Sequence, residues 1–262
     1  MEGLSWLRSI RARRALRGPA GWLLRAAKAA WKLARRLPLA NRVQVPLRVD
    51  GHRMRVRLFS YDDLLTIAEE YETCLAQRLP PAGGTAVDAG AFIGRHTLAY
   101  ARAVGPQGRV LSVEPLPDNF RLLQGNVRRN GYRQVRCAAC ALGRTSGQVR
   151  LGYDRETSIA STCGDFPLHL MVAQRSLDDL LAEEHIAQVD FLKIDVEGAE
   201  LDVLEGSRQT LAASPQARLV IEIHGQPASS AACPVHGWLT ERGYRIETLR
   251  DDQRLFYWAW RD

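Results

Sequence analysis

Two carboxylates, Asp88 and Glu114, bracket a glycine loop in the segment VDAGAFIGRHTLAYARAVGPQGRVLSVEP, residues 87 to 115. Val87 leads into Asp88-Ala89-Gly90, Gly94 opens a helical stretch four residues later, and the apolar run from Arg109 to Val113 ends on Glu114. Glycine at these two points permits a positive φ, a close backbone approach and a tightly packed helix start. The second carboxylate lies 114 − 88 = 26 residues beyond the first, where an open α/β fold hydrogen-bonds a ribose diol. The spacing therefore predicts a ligand that carries a ribose.

The phosphates decide which one. The loop G-A-F-I-G has two glycines, whereas the dinucleotide fingerprint G-x-G-x-x-G needs three, and no G-x-x-x-x-G-K-[ST] loop occurs in the chain. An adenosyl ligand without phosphates fits better, and S-adenosylmethionine is the common one. An NAD-binding oxidoreductase is the runner-up that the missing third glycine disfavours.

The segments VDAGAFIGRHTLAYARAVGPQGRVLSVEPLPDNFRLLQGNVRRNG and RSLDDLLAEEHIAQVDFLKIDVEGAELDVLEGSRQTL, followed by LVIEIH, resemble the FkbM-type methyltransferase family over about residues 70 to 225. The block K-I-D-V-E-G-A-E is its most specific part. The resemblance implies an S-adenosylmethionine-dependent enzyme on the seven-stranded class I fold, methylating hydroxyl groups, often of sugars or polyketide-derived acceptors. It also implies that Tyr71 and Glu72, which match the family's positions ahead of the glycine loop, border the cofactor. Two departures stand out: the family's phenylalanine-glycine-glutamate element is not evident between 143 and 172, and Phe92 replaces the usual asparagine of the glycine loop. The first leaves the acceptor open and the second alters cofactor contacts.

Methyl transfer to an alcohol is an in-line displacement at a sulfonium methyl that arrives already activated, so the protein must supply alignment and remove a proton. Cofactor contacts are expected from Asp88, Gly90, Gly94 and Glu114 along the methionine and ribose, from His96 and Thr97 at the helix start, and from Ala141-Leu142 as an adenine wall. Candidate bases lie at strand carboxyl ends, where open α/β sheets place their ligands. Asp195 follows the apolar run Val189 to Ile194, and His224 follows Leu219 to Ile223, which carries Glu222. Alternation puts Lys193 and Asp195 on one side of their strand and Glu222 and His224 on one side of theirs. His224 is the expected base, oriented by a carboxylate, with Asp195 and Lys193 beside the reacting centre. The rival reading makes Asp195, Glu222 and His224 ligands of Mg²⁺ or a related ion that binds an acceptor diol and lowers its pKa. Glu197 and Glu200 are read as helix-start residues, one of them capping it or pairing with Lys193.

The elements that must position these groups follow from periodicity. Val43 to Val49 and Met54 to Leu58 alternate around Asp50-Gly51, a favoured hairpin pair. A helix is expected from about Tyr61 to Leu79, then a strand through Val87, a helix from Gly94, a strand to Val113, a helix over 117–130, and a strand over 134–140. Residues 143 to about 172, rich in glycine, read as an irregular acceptor wall with one or two short strands. Ser176 caps a helix over 177–184, the strand to Ile194 and a helix from Gly198 follow, and the strand to Ile223 is succeeded by a helix over 235–242. A closing hairpin, 244–249 and 255–260 about Asp251-Asp252, favours a methyltransferase sheet with an antiparallel edge over a fully parallel dehydrogenase one. The expected fold is thus α/β: a Rossmann-like, mostly parallel seven-stranded sheet over 83–262, with a hairpin and helix lead-in over 43–82.

Charge separates a further piece, residues 1–42. Of the net +7, the first forty residues contribute ten Lys or Arg against one acid, Glu2, so the remainder carries a net of −2. The sequence pI of about 9.5 therefore describes this arm and says nothing for nucleic-acid binding by the core. From Trp22 to Leu37 apolar residues recur at helical spacing on one face and Arg25, Lys28, Lys32, Arg35 and Arg36 on another. The arm is read as packing on the enzyme or lying on an anionic membrane surface through residues 1–37, in a protein of the cytoplasm. No apolar run reaches the roughly 18 residues of a membrane span. The five cysteines lack the density of a disulfide scaffold, and Cys137-x-x-Cys140 reads as buried thiols rather than half a zinc site. The partner is a small-molecule or glycan acceptor. Alternatives are N- or carboxyl-methylation on the same fold and a cofactor-binding scaffold tethered by the arm.

Overall fold

The computed structural model describes residues 43–262 except 68–72, 76, 155–158, 226–232 and 252–253. The basic arm and the positions of Tyr71 and Glu72 lie outside the described residues. The first element is the expected hairpin, β1 (Gln44–Val49) and β2 (His52–Arg57), paired antiparallel with Val49 opposite His52. Its turn places Asp50 at φ 50 and Gly51 at φ 81, the double positive φ that a two-residue hairpin turn demands.

The lead-in helix is shorter than its periodicity predicts. Helix α1 (Tyr61–Thr66), capped by Ser60, has its C-cap at Ile67, and the next regular piece among the described residues is a 3₁₀ turn over Thr73–Leu75. What fixes α1 is a buried ion pair: Asp63 accepts from the Arg57 backbone N–H at 2.7 Å and from its guanidinium at 2.6 Å.

The core is α/β. In chain order come β3 (Thr85–Ala89), α2 (Arg95–Val104), β4 (Arg109–Val113), α3 (Pro117–Arg129) and β5 (Val135–Ala138). After an intervening sheet the chain continues with α4 (Leu177–Glu183), β10 (Phe191–Ile194), α5 (Glu200–Glu205), α6 (Arg208–Ala213), β11 (Arg218–Glu222), α7 (Pro234–Glu241), β12 (Arg245–Asp251) and β13 (Arg254–Trp260). The seven-stranded sheet has the order β12-β13-β11-β10-β3-β4-β5. All pairs are parallel except β13 with β11 and with β12, the antiparallel edge expected of the terminal hairpin. Val87, Leu111, Leu192, Ile194, Leu219 and Ile221 are fully buried between the layers. Strand order reverses between β3 and β10, and at such a switch point the loops leaving the carboxyl ends diverge and open a crevice.

Two segments differ from their sequence readings. The run 134–140 divides: β5 is a half-buried edge strand, and the chain then leaves the sheet so that β6 (Ala141–Leu142) pairs with another one. Residues 143 to 172 are not irregular. Strands β7 (Gly147–Tyr153), β8 (Ala160–Ser161) and β9 (Leu168–Arg175) join β6 in a four-stranded sheet of order β6-β9-β7-β8. The glycines that suggested a loop serve packing instead: at Gly152 a Cβ would sit 2.8 Å from the Phe166 ring. The helix after Gly198 is also broken in two, because Gly206 abuts the backbone of Gly143, whose oxygen a Cβ would meet at 2.1 Å. Cys137 and Cys140 are free thiols, each pushed up to about 11 by burial.

Candidate active site

The crevice at the switch point is a cavity of about 340 Å³, within the range of small-molecule sites. Its floor is made by the loops after β3 and β10. Gly90 and Ala91 both donate backbone N–H to Val113 O, at 3.0 and 2.9 Å, and Asp195 N donates to Ala89 O at 3.0 Å. Of the cofactor, catalytic and metal candidates named from the sequence, Gly90, Glu114, Ala141, Leu142, Asp195, Glu222 and His224 line this space, and so do Phe92, Cys140 and Glu197.

Asp88, Gly94, His96, Thr97 and Lys193 lie behind it. Asp88 is fully buried and accepts from Thr97 Oγ1 at 2.6 Å, and Lys193 Nζ stands 3.7 Å from its other oxygen. Lys193 in turn donates to Asp195 Oδ2 at 3.0 Å and to Gly90 O at 3.5 Å. The first carboxylate of the motif therefore acts on the cavity through Lys193 rather than by facing it. Gly94, at φ 94, holds α2 against Leu123, whose Cδ1 a Cβ would meet at 2.8 Å, and His96 lies against the Tyr100 ring. Glu72 lies outside the described residues.

Glu114, at the tip of β4, is 4% exposed. Its Oε1 accepts from Leu116 N at 2.9 Å and Asn119 Nδ2 at 3.3 Å, and its Oε2 accepts from Phe92 N at 2.9 Å. Burial pushes its pKa up to about 7 despite these three donors. A carboxylate has about four lone-pair sites, so Oε2 retains one acceptor site for a ligand hydroxyl. Phe92 presents that N–H from φ 49, a left-handed conformation that asparagine adopts readily and phenylalanine does not. The Arg57 guanidinium stacks 5.5 Å from its ring centroid.

Across the cavity, His224 is enclosed by carboxylates. Its Nδ1 is 2.8 Å from Glu200 Oε1, and its Nε2 is 3.4 Å from Glu197 Oε2, 3.7 Å from Glu222 Oε1 and 3.9 Å from Asp195 Oδ1. Burial alone would lower its pKa, but the Glu200 bond and the charges of Asp195, Glu197 and Glu222 raise it to about 10. The raised pKa favours the imidazolium, which has no lone pair to take a proton. Glu197 is pushed up to about 7, by burial first and then by Asp195, with His224 pulling the other way. It sits at φ 55, with Ser161 Oγ donating to its carbonyl at 2.6 Å. That turn swings its side chain into the cavity, a geometry that helix periodicity does not reveal. Asp62 of α1 is the other unforeseen wall residue. Its Oδ2 is buried without a hydrogen-bond partner among the described residues, and burial followed by repulsion from Glu197 raises it to about 7.

Residues 88–246 match the family described as the methyltransferase FkbM domain. The chain is 32% identical over 142 residues to "Methyltransferase 1" of Beauveria bassiana (strain ARSEF 2860), covering 46% of this chain and 57% of that protein. It is 29% identical over 161 residues to "Methyltransferase sdnD" of Sordaria araneosa, covering 48% of this chain and 61% of that one. The chain thus spans about 57–61% of the length of these curated relatives. Among solved structures, a SAM-dependent methyltransferase from Aquifex aeolicus aligns at TM-score 0.46 and 14% identity, over 74% of this chain and 90% of that one. Because the matched domain fills more than half of the chain and carries both blocks that bear the resemblance, the protein belongs to the FkbM methyltransferase family.

Proposed function

We propose that this chain transfers a methyl group from S-adenosylmethionine to a hydroxyl of a sugar, glycolipid or secondary-metabolite acceptor. The observation that carries the reading is one cavity holding Glu114 on one wall and the carboxylates around His224 on the other. Membership of a methyltransferase family supports the donor, and the acceptor site left on Glu114 Oε2 suits a ribose hydroxyl. Gly90, Ala141 and Leu142 would hold the rest of the cofactor, which supplies a methyl group already activated for displacement.

The chain's own contribution is to orient the acceptor and take its proton. A base is most effective with a pKa near the working pH, and Glu197 at about 7 meets that condition better than His224 at about 10. Glu197 takes the hydroxyl proton, and His224, cationic and 3.4 Å away, steadies the oxygen that loses it. Asp195 aligns the acceptor and is itself held by Lys193. A carboxylate acceptor would meet repulsion from Asp62, Asp195, Glu197 and Glu222, which favours a neutral hydroxyl over carboxyl methylation.

A second reading has one observation in its favour. Ligand atoms of Asp195, Glu197 and His224 lie within 4.8 Å of one another, and Glu200 backs the His224 ring as carboxylates back metal-bound histidines. This set replaces the Glu222 of the sequence reading with Glu197, and an imidazole among two carboxylates suits a transition-metal ion better than Mg²⁺. Calorimetric titration with S-adenosylhomocysteine, with NADH as the control, tests the cofactor. Micromolar one-site binding of the first alone is expected, and preference for NADH would overturn the assignment. Acceptor turnover after dialysis against a chelator separates the two readings: full activity favours Glu197 acting alone, and loss restored by a divalent ion favours the metal.

A further inference from the structure

The hairpin carries a basic face that the cavity does not use. Alternation in β2 points Met54 and Val56 inward and leaves Arg53 and Arg55 exposed, and the cross-strand partners Arg48 and Pro46 lie on the same outer face. The face is fixed rigidly to the core. Asn126 and Asn130, one turn apart on α3, bond the free edge of β2. Asn126 accepts from Arg55 N at 2.7 Å and donates to Arg55 O at 3.1 Å, and Asn130 does the same for Arg53 at 2.9 and 2.8 Å.

Those bonds bring the arginines of α3 alongside. Arg129 lies close enough to Arg55 and Arg128 for their charges, after burial, to depress its pKa. Arg128 continues into a groove along the edge strand β5 that Arg133 and Arg136 also line. Arg136 pairs with Glu184. Arg48, Arg53, Arg55, Arg128 and Arg133 have no acidic partner among the described residues. The groove lies beside Val135, the first residue of β5, whereas the cavity opens at the strands' carboxyl ends, so the two do not compete.

Three further observations say what this face meets. The described chain begins at Val43, at the foot of β1, so the ten Lys or Arg of the first forty residues are tethered to the same hairpin. On the same strand, but on the opposite face that Leu47 shares with Met54, β1 leaves apolar side chains exposed: Val43 is 43% and Leu47 39% exposed. The segment joined to them repeats that mixture, with Trp22, Trp31, Leu33 and Leu37 among its basic residues. A basic face joined to a segment that is basic and apolar at once suits a layer with anionic headgroups over hydrocarbon. A single-stranded nucleic acid would call for exposed aromatic platforms, and the aromatic ring here, Tyr132, is engaged by His52 at 2.9 Å.

We infer that the outer face of the hairpin, with the arginines at the end of α3, is a docking surface for an anionic lipid bilayer, acting together with the basic N-terminal segment. It holds the enzyme by its hairpin side. Each basic group near such a surface adds about 1 kcal/mol, so losing three is expected to weaken binding by at least about tenfold.

The test is co-sedimentation of the full chain with vesicles of three parts phosphatidylcholine to one part phosphatidylglycerol, against phosphatidylcholine alone. The wild type and a combined Arg48→Gln, Arg53→Gln, Arg55→Gln variant are compared, with S-adenosylhomocysteine affinity as the check on folding. Expected are binding to the anionic vesicles alone, a loss of at least about tenfold in the variant with ligand affinity unchanged, and weakening by salt. Equal binding by variant and wild type would assign all attachment to the N-terminal segment and overturn the proposal. So would absence of vesicle binding, or preference for a mixed-sequence single-stranded RNA at the same ionic strength.

Discussion

A Cβ placed on Gly90 would stand 1.7 Å from the carbonyl oxygen of Asp195. The glycine of the first motif thus makes its closest approach to the protein's own second motif. The loops after β3 and β10 are pressed together at the point where strand order reverses, and Asp195 N bonding Ala89 O closes the same contact. The two loops that floor the cavity therefore meet at one close-packed junction.

Gly90→Ala is therefore expected to cost at least about 3 kcal/mol, since it adds a backbone clash to the strain of a left-handed conformation. Gly243→Ala is the control: its φ of 76 is similar, but nothing lies within 4 Å of the added carbon, so the cost is about 1–2 kcal/mol. Urea unfolding of the two variants measures the difference. Equal losses would show that the junction yields.

Glu114→Gln is expected to weaken S-adenosylhomocysteine binding by tenfold or more, because charge-assisted bonds to a ligand hydroxyl contribute about 1.5–3 kcal/mol. Calorimetry of the variant reads this directly, and unchanged affinity would place the ribose elsewhere. Its ionisation also bears on stability. The folded pKa, about 7, is raised above the ordinary 4.5, so its contribution is full below 4.5 and declines as pH rises through about 7.

The turnover rate is expected to rise with pH through about 7 as Glu197 loses its proton, and to fall towards pH 10 as His224 loses its own. Glu197→Gln should lower the rate by roughly 10²–10⁴-fold with S-adenosylhomocysteine affinity kept. His224→Gln should remove the alkaline limb. His224 also links pH to folding. Raised from 6.5 to about 10, it stabilises the fold fully below pH 6.5, and that stabilisation is lost as pH rises towards 10. A pH–rate profile with no inflection near 7 would dismiss Glu197 as the base.

The sheet was legible because its strands are short apolar runs ending on titratable residues, and burial on both faces demands that pattern. Glu114, Asp195 and His224 reach the cavity wall by the same signal, since a polar side chain just past a buried strand is carried to the sheet's carboxyl edge. Glu197 and Asp62 do not follow it. Glu197 enters the cavity only because its backbone turns to φ 55, and Asp62 belongs to a helix whose position depends on the buried Arg57–Asp63 pair with the hairpin just before it. Asp88 was expected along the methionine and ribose, but spacing gives only distance along the chain, whereas Thr97 and Lys193 hold its carboxylate. The glycines of 143–172 misled for a related reason: close packing against Phe166 and a flexible loop call for the same residue.

The Arg57–Asp63 pair shows how the hairpin reaches the site. Its side chains are 3% and 0% exposed, and α1, which it anchors to β2, carries Asp62 into the cavity wall. Removing one partner of such a pair leaves an uncompensated buried charge, at a cost of about 3–5 kcal/mol. Asp63→Ala is expected to show that loss in denaturant unfolding and to displace Asp62. The combined Arg57→Met, Asp63→Leu variant removes both charges and should recover much of the stability. If the double variant were as unstable as the single one, the pair would act through the hydrogen bond from the Arg57 backbone N–H to Asp63, which leucine cannot accept, and not through its charges.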